Sequence, residues 1–140
     1  MPLDAKQVPK LNTFVRGVQR VKPVTLSASG LLTLDLANGT VGVFDVTVAT
    51  GVNITGIEFA NAPSTAPVAP ETLSAELSVM LYIKRQGTLG TLAWGSAERW
   101  HPAAPTYTLS NTAGRIDSFV LQSIDGGASW FVYQGVVNAD

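Results

Sequence analysis

The chain has 140 residues, no cysteine, a single histidine and a net charge of −1, with 14% of residues charged and 46% hydrophobic. That length suits one domain able to bury a core unaided. The absence of cysteine excludes a disulfide framework, a thiolate metal site and a Cys–His catalytic pair, and one histidine excludes a multi-histidine metal cluster.

The charge is unevenly placed. Residues 1–22 hold Lys6, Lys10, Arg16, Arg20 and Lys22 against Asp4, five bases minus one acid, or +4; residues 23–140 hold four bases and nine acids, or −5. The chain therefore divides into a basic N-terminal arm, residues 1–22, and a body, residues 23–140. Leu11, Phe14, Val15 and Val18 could share one face of a helical turn, but Pro9 and Gly17 interrupt it. The start lacks the apolar stretch of a signal peptide, so export by a cleaved leader is not expected. Five charges spread over 22 residues with one aromatic are a weak footprint for nucleic acid. Docking of Lys6, Lys10, Arg16, Arg20 and Lys22 on an acidic shell or a neighbouring subunit is the expected role. A solvated tail is the plain alternative.

From Pro23 onward the pattern is short β-like runs divided by turn residues. Runs at 24–27 and 31–36 precede Asn38-Gly39, a two-residue hairpin signal. The next run, 41–48, alternates Phe44, Val46 and Val48 onto one face, and 53–59 follows with Ile54, Ile57 and Phe59. Pro63, Pro67 and Pro70 mark a loop. The clearest strand is 73–84, with Leu73, Ala75, Leu77, Val79, Leu81 and Ile83 on one face and Ser74, Glu76, Ser78, Met80, Tyr82 and Lys84 on the other. Shorter runs at 91–94 and 106–109 lead to a closing hairpin, 115–124 and 129–133, around Asp125-Gly126-Gly127. No 18-residue apolar run is present, so no membrane-spanning helix is predicted. The predicted fold is all-β, an antiparallel β-sandwich of jelly-roll type behind an extended arm. With no internal repeat, a propeller or β-helix is not expected.

The ordered combination of these segments resembles a known family. Thr33-Leu34-Asp35-Leu36, Val43-Phe44-Asp45-Val46-Thr47-Val48, the run 77–83 and Leu92-Ala93-Trp94-Gly95-Ser96-Ala97-Glu98-Arg99-Trp100 come first. Ala104-Pro105-Thr106-Tyr107-Thr108-Leu109-Ser110, then Gly114-Arg115-Ile116-Asp117, then Asp125-Gly126-Gly127-Ala128-Ser129-Trp130 follow. Over residues 30–135 the chain is similar to a β-rich module of tailed-bacteriophage virion proteins, of the tail-fibre or head-decoration type. The resemblance implies a structural or adhesive role in the particle and no catalysis. It also implies other capsid or tail proteins as partners, self-association as a trimer, and a place in the virion after synthesis in the bacterial cytoplasm. The chain departs from that pattern in its short length and its basic arm, which favours a decoration, cement or fibre-like unit over a full tail fibre.

Candidate sites are few. Ser123-x-Asp125-x-Gly127-x-Ser129-Trp130 fits the Asp-box hairpin of sialidase propellers, but a sialidase carries several such boxes and a separate catalytic set. Here the residues suit a turn, with Asp125 accepting backbone N–H groups and Trp130 packing beneath. Glu98 and His101 lie in one segment, and a Ser–His–Asp site would have to be built on His101; an interface role suits that residue better. No spacing supports a calcium site, and neither a cofactor nor a metal is expected. Trp94 and Trp130 read as core. Trp100, in the polar segment Glu98-Arg99-Trp100-His101, reads either as core or as an exposed stacking platform. With Arg99 and His101 it is the candidate contact for a partner subunit or a host-surface glycan. The alternative function is thus a tail-associated, carbohydrate-binding receptor module.

Overall fold

A computed structural model of the chain describes residues 20–62, 76–87, 90–103 and 112–136. Its strands are β1 (Arg20–Leu26), β2 (Gly30–Asp35), β3 (Val41–Val48), β4 (Ile54–Ala60), β5 (Leu77–Arg85), β6 (Trp100–His101), β7 (Ile116–Ser123) and β8 (Trp130–Gln134). Among the described residues the helical content is one 3-10 turn, Ala37–Gly39, so the all-β expectation holds. Most of the proline loop, the first three residues of the strand expected at 73–84 and the run expected at 106–109 fall outside the described residues, as do Lys6, Lys10 and Arg16 of the arm. Arg20 and Lys22, counted with the arm, are strand residues of β1, and Lys22 Nζ lies 3.8 Å from Asp35 Oδ2 on β2.

The strands form a six-stranded sheet in the order β1-β3-β5-β7-β8-β6 and a two-stranded sheet, β2-β4. Pairing departs from the antiparallel, jelly-roll expectation. β1–β3, β3–β5, β2–β4 and β6–β8 are parallel, and only β5–β7 and β7–β8 are antiparallel. Residues 91–94 continue the small sheet along β4. Ile54 N–H donates to Thr91 O (2.8 Å), Ala93 N–H to Ile54 O (2.8 Å) and Ile57 N–H to Trp94 O (3.0 Å). The chain therefore alternates between sheets for nearly three turns of a flattened parallel coil, and the β7–β8 hairpin closes it.

Alternation of apolar and polar residues predicts a strand but is silent on the direction of its neighbour. The coil also hides from any search for a repeat. Val24, Val46 and Ile83 are in register across β1, β3 and β5, yet the first step is 46 − 24 = 22 residues and the second 83 − 46 = 37. The second turn contains the proline-rich segment.

Asn38-Gly39 joins strands of different sheets rather than a hairpin. Leu36 O accepts from Gly39 N–H (2.9 Å) and Val41 N–H (3.2 Å), and Asp35 Oδ1 accepts from Ala37 N–H (2.8 Å). Ala37 and Gly39 both have positive φ, 47° and 89°. The turn is a corner because Leu32, Leu34 and Leu36 before it and Phe44, Val46 and Val48 after it are all buried. A hairpin would place both sets in one layer; a corner sets them face to face. Val79, Leu81, Ile83, Phe119, Leu121, Trp130 and Val132 from the large sheet complete the core with Ile54 and Ile57 from the small one. Each such side chain contributes about 1.5–3 kcal/mol through burial.

Candidate functional site

The closing turn between β7 and β8 is tied together by its own side chains. Ser123 Oγ donates to Asp125 Oδ1 (2.8 Å) and accepts from Gly127 N–H (2.8 Å). Ser129 N–H donates to Asp125 Oδ1 (2.9 Å) and Ser129 Oγ to Asp125 Oδ2 (2.7 Å). The Ser129 hydroxyl does most to hold the Asp125 carboxyl down to about 2; burial opposes it, and the Ser129 N–H and the Ser123 hydroxyl add to the lowering. Gly126 and Gly127 take φ of 73° and 98°, which a side chain would resist. Trp130 follows immediately and is fully buried. The side chains of Ser123, Asp125 and Ser129 are thereby spent on fixing the turn, as the sequence suggests.

The 94–101 segment is packed, not presented. Trp100 is 4% exposed, so it is no stacking platform for a sugar. Its indole meets Trp94 edge-on (centroids 5.1 Å) and lies near Phe59 (6.2 Å), which in turn stacks on Trp130 (4.0 Å). Its strand β6 is parallel to β8, with Trp100 opposite Trp130. The core reading holds for Trp94 and Trp130, which are 3% and 0% exposed. Arg99 remains exposed, while its carbonyl accepts from Trp130 N–H (2.8 Å). His101 is half-buried and stacks on Phe131, ring to ring at 5.0 Å.

Two ionisable groups, Glu98 of the segment considered with His101 and Arg85 of β5, have structural work. Glu98 Oε1 accepts the Phe59 N–H (2.9 Å), fastening this segment to β4. Burial pushes the Glu98 carboxyl above its usual range; the Phe59 hydrogen bond opposes this and the neighbouring Glu58 adds to it. Arg85 ends β5 on its inward side and is 2% exposed; burial lowers its guanidinium below the usual range, and the fully buried Asp117 on β7 opposes this in part. The parity of Leu77, Val79, Leu81 and Ile83 would have placed Arg85 inward had the strand been extended one residue.

Among the described residues, the face on which no second sheet packs is the outer side of the six-stranded sheet. Register links Val21 to Val43, Val43 to Met80, Met80 to Val120 and Val120 to Tyr133, one apolar row across five strands. Val21 is 60% exposed and Tyr133 51%. Beside the row lies a groove of about 430 Å³ lined by Met80, Tyr82, Ile116, Ser118, Gly135 and Val136. Such a continuous apolar stripe is a surface that association would bury.

No helix among the described residues is long and apolar enough to cross a membrane, and these residues contain no group of three or more His, Cys, Asp or Glu side chains placed to hold a metal. Comparison of the chain with protein-family models, curated proteins and solved structures gives no match.

Proposed function

We propose that this chain is a non-enzymatic structural subunit of a tailed-bacteriophage particle, a capsid decoration or fibre-like unit that attaches through its basic N-terminal arm and self-associates. The observation that carries self-association is the apolar row Val21–Val43–Met80–Val120–Tyr133 on the open face of the large sheet. The use of Asp125, Glu98 and the three tryptophans as internal fastenings supports a structural role over a catalytic one. The particle assignment rests on the ordered sequence resemblance over residues 30–135. That resemblance implies a trimer, whereas the residue order on the open face favours two-fold pairing.

The test is localisation. Electron microscopy of particles carrying a gold-labelled tag on the chain should show the label at defined positions on head or tail. Unlabelled particles would overturn the virion assignment. A variant lacking residues 1–19 stops short of β1, so its body should fold and fail to join particles; incorporation of that variant would refute the role of the arm.

A further inference from the structure

The outward side chains of the two central strands are arranged about one shared centre: charges of opposite sign end the β5 row, and the β7 row has the same polarity in either direction. Along β5 and the residue before it they are Glu76, Ser78, Met80, Tyr82 and Lys84, an acid and a base each four residues from Met80. Along β7 and the residue after it they are Ile116, Ser118, Val120, Gln122 and Ile124, apolar at both ends and at the centre, polar between. Met80 and Val120 are opposite each other in the β5–β7 ladder, so the two centres coincide. On β8 the outward order is Phe131, Tyr133, Gly135: a large ring, the row residue, and no side chain. Ser123, Asp125 and the buried aromatic cluster take no part in this face.

We propose that a second copy of this chain covers this face, related by a two-fold axis lying along the apolar row. The proposal rests on the self-association reading above and specifies its geometry. Face-to-face sheets pack about 10 Å apart with strands nearly aligned. A two-fold axis along the row lays each β5 over the partner's β5, running the other way. Glu76 of one copy then meets Lys84 of the other, and the symmetry makes that pair twice, each about 14 Å from the axis at ~3.4 Å per residue. Both side chains are exposed, and Glu76 Oε1 is drawn toward the face by Ser78 Oγ (2.6 Å) and Gln122 Nε2 (3.4 Å). The same operation sets Ile116 against Ile124 and Ser118 against Gln122.

It also brings Phe131 over Gly135, where the groove opens. A Cβ at position 135 would lie 2.6 Å from Ser118 Oγ, so a side chain there is resisted, and the space offered to the ring is the groove beside it, lined by Met80, Tyr82, Ile116 and Val136. Phe131 is the knob and the groove the hole, each supplied once by each copy. Asp45, on the flanking β3, gains no opposite charge in this arrangement and keeps its exposure at the margin. A two-fold contact of this kind closes on itself and yields pairs.

The experiment combines charge exchange with cross-linking, read by sedimentation equilibrium and by denaturing gel. Glu76→Lys and Lys84→Glu, each alone, bring like charges together at two symmetric places and should raise the dimer dissociation constant about tenfold. The double variant E76K/K84E should return it to the wild-type value. The chain has no cysteine, so Val120→Cys or Met80→Cys, each near the axis, should give a covalent dimer with a short bismaleimide. The facing sheets are too far apart for a direct disulfide. Ile116→Cys should cross-link only when mixed with Ile124→Cys. A trimer, an oligomer indifferent to the single exchanges, or a double variant without recovery overturns two-fold pairing while self-association stands. A monomer at every concentration overturns both.

Discussion

Replacing Asp125 by alanine removes the acceptor for three hydrogen bonds in the closing turn, from Ser123 Oγ, Ser129 N and Ser129 Oγ. Each such bond contributes about 0.5–1.5 kcal/mol net, so Asp125→Ala should cost about 2–3 kcal/mol at neutral pH. Part of that loss depends on charge. The carboxyl is held near 2 in the fold, against about 3.9 in an unfolded chain. Its ionised form therefore stabilises the fold above about pH 4, and this contribution is lost as pH falls through about 2. A fully dry group would give about 2.5 kcal/mol from that gap. Asp125 is only half-buried, and solvent screening reduces the expected amount to about 1 kcal/mol. Urea unfolding followed by tryptophan fluorescence reads the effect, because Trp130 is fully buried beside the turn. Protein concentration must be held fixed, since association adds to apparent stability. The variant should unfold at lower urea with unchanged slope at pH 7, and its deficit should shrink by about 1 kcal/mol near pH 2. A deficit under about 0.5 kcal/mol at pH 7, or one that does not change with pH, would refute the structural reading of this motif.

Three further outcomes follow from the packing. Trp100→Ala should cost about 3–5 kcal/mol by emptying a core position; an exposed platform would lose almost nothing in the same urea titration. Glu98→Gln keeps an oxygen for the Phe59 N–H and removes a buried charge, so its urea midpoint should rise at pH 7, whereas Glu98→Ala should lower it. Because the Glu98 carboxyl is raised in the fold, its ionisation lowers stability as pH climbs from the unfolded to the folded titration point. The gain from glutamine should therefore vanish in acid. Gly95 has φ of 71° and its Cβ would lie 2.9 Å from Gly56 Cα. Gly95→Ala should therefore destabilise by more than about 1 kcal/mol, and circular dichroism melting that leaves Tm unmoved would contradict that close approach.

Strand positions were legible because alternation is a local property. Phe44, Val46 and Val48 on β3 and Leu77, Val79, Leu81 and Ile83 on β5 face the core as their spacing demands. The closing turn was legible because its acceptors and donors sit within six residues of one another. Pairing direction was not, since it depends on which sheet the chain enters after each corner, and Asn38-Gly39 makes the same local signal for a hairpin and for a crossover. Trp100 misleads because its sequence neighbours are polar, although the β6–β8 ladder sets it against Trp130. The outer face was present in the parity of Met80, Tyr82 and Lys84, but its symmetry emerges only when Met80 is seen opposite Val120.

The central claim is that the open face of the six-stranded sheet is an interface between copies of this chain. Sedimentation equilibrium of the wild-type protein beside Val120→Asp measures it most directly, with circular dichroism to show that both are folded. Val120 is outward and half-buried at the centre of the face, so a carboxylate there should leave the fold intact and abolish association. The wild type should sediment as a concentration-dependent oligomer and Val120→Asp as a monomer; a wild type that stays monomeric, or a variant that associates as the wild type does, would contradict the claim.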